Sequence, residues 1–198
     1  MRTAFQPSND AYIYQFLVLV NIIFAKYLKQ ASLIIERLPG SKAENLTMVI
    51  RDFTVGIRKG VDRDAIVRYR DFGDIFAYKV DSFGGANLMD DANIPLLLAI
   101  PLFNYSASRN FNNIYQNTRR FVLSEANPYY AKGPVLSAIG GPHLGPGKGW
   151  PMAAVVAAIT AFKPISGVND VKRIVKKQLR ILLNLTAGTG IMYESINA

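Results

Sequence analysis

A mainly helical fold is predicted by three observations. Apolar residues recur at helical spacing through most of the chain, only the stretch 65–80 alternates as paired strands do, and no strand–helix–strand succession appears. At 198 residues, half of them hydrophobic and 19% charged, the chain can bury a sizeable core as one domain spanning 1–198. About six helices and one small β-hairpin are expected, and no internal repeat is visible.

The first helix is expected to be capped by Ser8 or Asn9, to begin near Asp10 and to run through Tyr14, Leu17, Val18, Ile22, Phe24 and Leu28 to about Arg37. It is apolar around most of its circumference, which predicts burial on several sides. Pro39-Gly40 ends it, and Leu46, Val49, Ile50, Phe53 and Ile57 mark an amphipathic second helix with Gly60 as its stop. Val67 and Tyr69, then Phe72-Gly73-Asp74, then Ile75, Ala77 and Tyr78 predict a hairpin. Residues 94–103 are almost wholly apolar and predict a short buried helix, kinked or ended at Pro101. Phe111, Ile114, Tyr115, Thr118, Phe121 and Val122 share one helical face, closed by Asn127-Pro128. The Gly- and Pro-rich stretch 126–150 predicts a long irregular region. Pro151 opens a helix with Met152, Val155, Val156 and Ile159, and a last helix carries Val171, Ile174, Val175, Gln178, Leu179 and Leu182.

Composition removes several kinds of chemistry. With no cysteine and the single histidine His143, neither a thiolate site nor a His-cluster zinc site can be built, so no metal and no cofactor are expected. The net charge of +9 permits association with polyanions. Its densest run, Lys172, Arg173, Lys176, Lys177 and Arg180, lies on one face of the last helix without interleaved aromatics, which predicts a solvated face and no nucleic-acid partner. The apolar run 16–25 is interrupted by Asn21 and is too short to cross a bilayer, so a buried helix and no membrane span are expected. No apolar core of a signal peptide precedes the first polar cluster, which leaves the cytoplasm as the default location.

Stretch 81–95 stands out, with two glycines, two asparagines and three carboxylates wedged where the chain re-enters its core. Such a bend suits a binding or catalytic loop, and it also suits a helix N-terminus with Asp91 or Asn93 as cap and Pro95 in the first turn. The candidate carboxylates are Asp10, Asp81, Asp90, Asp91 and Glu194, each among Gly, Asn, Ser, Tyr or His. That mixture fits a sugar site, where planar polar groups bind hydroxyls and two carboxyl groups flank the scissile bond. A serine triad is disfavoured because His143 lies in a Gly-Pro loop and no nucleophile elbow is present. Residues 145–149 lack the Walker spacing and a preceding strand.

Eight segments occur in the order expected for glycoside hydrolase family 125, which the chain resembles over nearly its whole length. They are Phe5-Gln6-Pro7-Ser8-Asn9-Asp10-Ala11, Tyr78-Lys79-Val80-Asp81-Ser82-Phe83-Gly84, Leu88-Met89-Asp90-Asp91-Ala92-Asn93-Ile94-Pro95, Thr118-Arg119-Arg120-Phe121-Val122-Leu123-Ser124, Asn127-Pro128-Tyr129-Tyr130, Ile139-Gly140-Gly141-Pro142-His143, Trp150-Pro151-Met152 and Met192-Tyr193-Glu194-Ser195. The resemblance implies metal-independent, inverting exo-α-1,6-mannosidase chemistry on a mannose-containing glycan. It also implies an (α/α)6 toroid, of which this chain would be the C-terminal half.

Carried onto this sequence, the resemblance makes Asp10 the general acid and Glu194 the general base. It places them in one cleft with Asp90, Asp91, Asn93 and His143 as substrate-binding groups. His143 is assigned to substrate hydroxyls, against a purely structural loop role. Three positions depart from the family pattern: Gln6 stands for Arg, Asn9 for a second Asp and Tyr193 for His. These departures and the half fold predict impaired hydrolysis. The alternative is a noncatalytic remnant that binds glycan or a partner. Half a toroid also predicts uncovered apolar faces on the first helix and on the Pro151 helix, and hence self-association.

Overall fold

The computed structural model describes residues 1–2, 13–105, 110–186 and 188–197. Asp10 lies outside them, as do Gln6, Asn9 and the expected cap Ser8. Among the described residues the protein is mainly helical, with short antiparallel strand pairs set between the helices.

The first helix begins later than its apolar pattern suggests. Residues 13–15 bend, Phe16–Leu17 forms strand β1, and helix α1 spans Val18–Ile35. The reason is a distant partner: β1 pairs with β4 (Lys79–Val80), Phe16 opposite Val80 and Leu17 opposite Lys79, and β4 pairs in turn with β5 (Ala86–Asn87). Val18, Leu19, Ile22 and Ala25 give α1 one buried face. At 18 residues and mean hydropathy 1.5, α1 is long and apolar enough to cross a membrane by length and composition, which the shorter run 16–25 did not suggest. In this fold that face packs on α2 (Ser41–Asp64) and the core.

Helix α2 passes through Gly60 rather than stopping there, because glycine weakens a helix interior by only about 1 kcal/mol and the ladder continues to the Ala65 N–H on Val61 O. Its side toward α1 is the stripe Thr47, Thr54 and Val61, while Leu46, Val49 and Phe53 of the apolar face are exposed. The predicted hairpin forms as β2 (Ile66–Tyr69) and β3 (Gly73–Phe76).

A seven-residue 3-10 helix, Leu97–Phe103, carries Pro101 inside it and is buried from Leu97 to Pro101. Helix α3 (Phe111–Val122) lies across it and across β3. The Tyr115 hydroxyl donates to Leu98 O at 2.8 Å, and Thr118 Oγ1 accepts the Phe76 N–H at 2.9 Å. Phe76, Tyr78, Leu96, Ile100, Tyr115 and Phe121 are fully enclosed and form the centre of the core.

The stretch expected to be irregular contains a second hairpin, β6 (Tyr130–Lys132) with β7 (Ser137–Ile139), a 3-10 turn at Pro142–Leu144, and β8 (Lys148–Gly149). Its strands are only two or three residues long, below what residue alternation can reveal. Pro151 opens α4 (Pro151–Ala161) as predicted. After a 3-10 turn at Pro164–Ser166, α5 (Val171–Asn184) is capped by the Asp170 carboxylate, which accepts the Arg173 N–H at 2.9 Å. The chain then returns to pair β9 (Ile196–Asn197) with β8. Ile196 packs beside a second apolar cluster of Leu136, Ala138, Ala154, Leu182 and Leu185.

Candidate active site

The polar bend predicted at 81–95 divides into two parts with different tasks. Asp81 closes the β4–β5 turn, Oδ1 accepting the N–H groups of Phe83 at 2.7 Å and Gly85 at 2.8 Å. Asp90 is fully buried. Its Oδ1 accepts the N–H groups of Leu97 at 2.8 Å and Asp91 at 3.1 Å, and Oδ2 accepts that of Leu98 at 3.2 Å. The start of the 3-10 helix is therefore capped by Asp90 from seven residues upstream. The expected cap at Asp91 or Asn93 with Pro95 in the first turn does not form, since Leu96 directly precedes the helix. Burial pushes the Asp90 carboxyl up to about 8, and the three amide bonds only partly oppose it.

Asp91 is the member of the pair with an unmatched oxygen. Its Oδ1 accepts the N–H of Asn93 at 3.0 Å and the Asn93 Nδ2 at 2.9 Å, while its buried Oδ2 has no hydrogen-bond partner. Burial raises its pKa, offset by the Asn93 bonds and by the nearby charges of His143 and Lys79. Half-buried Asn93 thus orients Asp91 through both its main chain and its side chain.

Two glycines let the loop after β7 come close to this carboxyl. The Ala92 N–H donates to Gly140 O at 2.8 Å, and the Gly140 N–H donates to Tyr129 O at 2.7 Å. A Cβ at Gly140 would collide with Lys148 O, and one at Gly141 would stand 2.7 Å from Asp91 Oδ1 and 3.4 Å from His143 Nδ1. Backbone leaves no room for a side chain at Gly140, whereas at Gly141 the Asp91 carboxylate would have to shift. His143 is exposed and stands edge-on to Trp150, their ring centroids 5.4 Å apart. The Trp150 Nε1 is buried and has no hydrogen-bond partner. Asp91 and His143 therefore meet at Gly141, and His143 links them to Trp150 in one cluster.

Strands β9 and β1 each pair with a strand that leads to this cluster. Glu194 is exposed and lies two residues before Ile196, which pairs with Gly149 next to Trp150. At the other end β1 lies against Lys79, whose charge reaches Asp91. Among the described residues no three His, Asp or Glu side chains converge as a metal site requires.

Along residues 1–198 the chain matches the family described as metal-independent alpha-mannosidase (GH125). It belongs to that family. The meiotically up-regulated gene 157 protein of Schizosaccharomyces pombe is 37% identical over 198 residues, covering all of this chain and 36% of that protein. A solved structure from Streptococcus pneumoniae, a metal-independent α-mannosidase in a non-productive substrate complex with α-1,6-mannobiose, superposes with a TM-score of 0.85 at 30% identity. That match covers all of this chain and 44% of the solved one. The chain thus spans less than half the length of either relative. In this chain the motif segments separated in sequence at 88–95, 139–143 and 150–152 meet at the Asp91 cluster. Trp150, Gly141 and Lys79 escaped individual notice in the sequence. The only tryptophan of the chain, inside the Trp-Pro-Met segment, was the available signal.

Proposed function

We propose that this chain is the C-terminal half of an (α/α)6 mannosidase domain, whose reaction is hydrolysis of terminal α-1,6-linked mannose with inversion. The observation that carries the reading is the buried, unpartnered Asp91 Oδ2 beside His143 and Trp150, in a chain that matches family 125 from end to end. Asp91, Asn93 and His143 hold the sugar, and Asp90 holds Asp91 without touching the ligand. Glu194 serves as general base on water while Asp10 protonates the leaving oxygen from the opposite face, a geometry that requires carboxyl groups roughly 6.5 to 9.5 Å apart.

Hydrolysis by this chain alone is expected to be poor. Gln6 and Asn9 replace a cation and a carboxylate of the family pattern, and loss of a positioned acid costs on the order of 10² to 10⁴ in rate. An incomplete cleft wall also loosens the substrate and admits water. The same observations favour a second reading, a noncatalytic remnant that retains only glycan or partner binding. Release of mannose from α-1,6-mannobiose by the purified chain, compared with Glu194→Gln, separates them. Slow turnover abolished by the substitution supports the impaired enzyme. Absent turnover with retained sugar binding supports the remnant, and efficient turnover would overturn the expectation that the chain is impaired.

A further inference from the structure

We infer that Trp150 is a specificity-determining residue of the sugar site, its indole N–H acting with Asp91 Oδ2 as a matched donor and acceptor for hydroxyls on one edge of a sugar ring. The inference rests on the mannosidase reading of this site and adds to it a residue and a contact.

Asp91 Oδ2 and Trp150 Nε1 are both buried and both lack a hydrogen-bond partner. Buried polar atoms without partners are uncommon, because their lost hydration is not compensated. Here an acceptor and a donor remain unmatched within one cluster. The other oxygen of Asp91 is already committed to Asn93, so Oδ2 alone is available.

The pair selects a ligand chemistry. A hydroxyl can donate to Asp91 Oδ2 and offer a lone pair to the indole N–H, so neighbouring hydroxyls on one ring satisfy both atoms. A ligand carboxylate would be repelled by Asp91, and an ammonium cannot accept from the indole. His143 stands beside both groups. It is exposed, stands edge-on to the indole, and has its Nδ1 beside the same Gly141 position as Asp91 Oδ1. The main chain that carries the indole is fixed: the Trp150 backbone N–H donates to Ile139 O at 3.0 Å, and α4 starts at the next residue. Rigid backbone on both sides of a side chain favours defined recognition geometry.

Since Trp150 is the only tryptophan, its fluorescence reports on this contact without a label. The full chain is titrated with α-1,6-mannobiose, following emission and binding heat in parallel. The expected result is a saturable emission change with the same midpoint as the heat. Trp150→Phe, which keeps an aromatic ring and removes the N–H, should weaken binding about tenfold by calorimetry, as loss of one hydrogen bond in a buried site does. Asp91→Asn, which places an amide where the acceptor is needed, should weaken it at least as much while its intact Trp150 still reports, so the test survives a Trp150→Phe protein that fails to fold. Binding heat with unchanged emission, or wild-type affinity in Trp150→Phe, overturns the role of Trp150 and leaves sugar binding standing. Neither heat nor emission change overturns the mannosidase reading and this inference with it.

Discussion

Asp90 and Leu97 are joined by a 2.8 Å hydrogen bond from the Leu97 N–H to Asp90 Oδ1, and this buried contact ties the polar bend to the helix at the centre of the core. The same carboxyl accepts the Leu98 and Asp91 amides, and the Asp90 N–H donates to Asn127 Oδ1 at 3.2 Å. Asn127 Nδ2 donates to Val122 O at the end of α3. One enclosed side chain therefore sets the position of Asp91 relative to two helices.

This enclosure makes stability depend on pH. The Asp90 carboxyl is pushed up to about 8 by burial, while in the unfolded chain it takes its ordinary value of 3.8. Between these values the folded protein keeps a proton that the unfolded chain releases. The contribution is fully present below the unfolded value and is lost as pH rises through that window, at up to about 1.4 kcal/mol per pH unit. Asp91, also raised by burial, acts in the same direction. Urea unfolding at about pH 5 and about pH 8 should show the wild type weaker at the higher pH, and Asp90→Asn should flatten that difference. An unchanged slope in Asp90→Asn would assign the pH dependence to other groups.

The glycine pair after β7 supplies a second prediction. At Gly140 an added methyl meets the Lys148 backbone oxygen, which cannot move without separating β8 from its surroundings, whereas at Gly141 it meets the Asp91 carboxylate. Gly140→Ala should therefore destabilise the fold severely, by more than about 3 kcal/mol. Gly141→Ala should cost about 1–2 kcal/mol, because a side-chain end can yield, yet it should displace Asp91 and abolish sugar binding. Thermal melts and calorimetric titration with mannobiose measure the two effects separately. Equal destabilisation at both positions would contradict the assignment.

Local rules made several elements legible. Pro151 at the first position of α4, the hairpin at Ile66–Tyr69 and Gly73–Phe76, and the shared face of α3 each depend on neighbours a few residues away. The features that were not legible depend on distant partners. Residues 13–17 carry a helical apolar pattern, but β4 captures Phe16 and Leu17 as a strand. The cap of the Leu97–Phe103 helix comes from Asp90 rather than from a residue at the usual capping distance. On α2 the pattern marked an apolar face correctly and could not say that Leu46, Val49 and Phe53 would lie outside the core. In the site, family motifs pointed to Asp91 and His143 together. The role of Asp90 and the unmatched Trp150 N–H became visible only with burial and bonding partners in hand.

Arg119 gives a third test. Although only 6% exposed, it donates to Thr160 Oγ1 at 2.7 Å and to Ala157 O at 2.9 Å, joining α3 to the last turn of α4. A guanidinium at a helix C-terminus is favoured by the carbonyl dipoles there. Arg119→Met keeps most of the buried stem and removes both donors, so it should cost about 2–3 kcal/mol, seen as a lower denaturant midpoint with an unchanged slope. A loss below about 0.5 kcal/mol would show that the contact contributes little to joining the helices.

The exposed apolar surface leads to the last prediction. Along α5, Val171, Val175, Leu179 and Leu183 recur on one side and, with Phe162, line an open trough of about 930 Å³, Leu183 being 74% exposed. Leu46, Val49 and Phe53 on α2, Tyr27, Leu33 and Ile34 on α1, and Met152 and Ile159 on α4 add further exposed apolar side chains. Contiguous apolar patches beyond a few hundred Å² usually mark association, since each Å² removed from water contributes about 25 cal/mol. The isolated chain should therefore self-associate, and sedimentation velocity across a dilution series should show mass rising with concentration. Lys172, Lys176 and Arg180 border the α5 trough, so two copies meeting there bring like charges together. Salt screens that repulsion over about 10 Å at ordinary ionic strength, and association through α5 should strengthen as salt is added. Leu183→Glu should weaken it by placing a carboxylate in the apolar stripe. If mass rises with concentration but responds neither to salt nor to Leu183→Glu, the contact runs through α1, α2 or α4 instead, and a monomer at every concentration would exclude self-association through any of these faces.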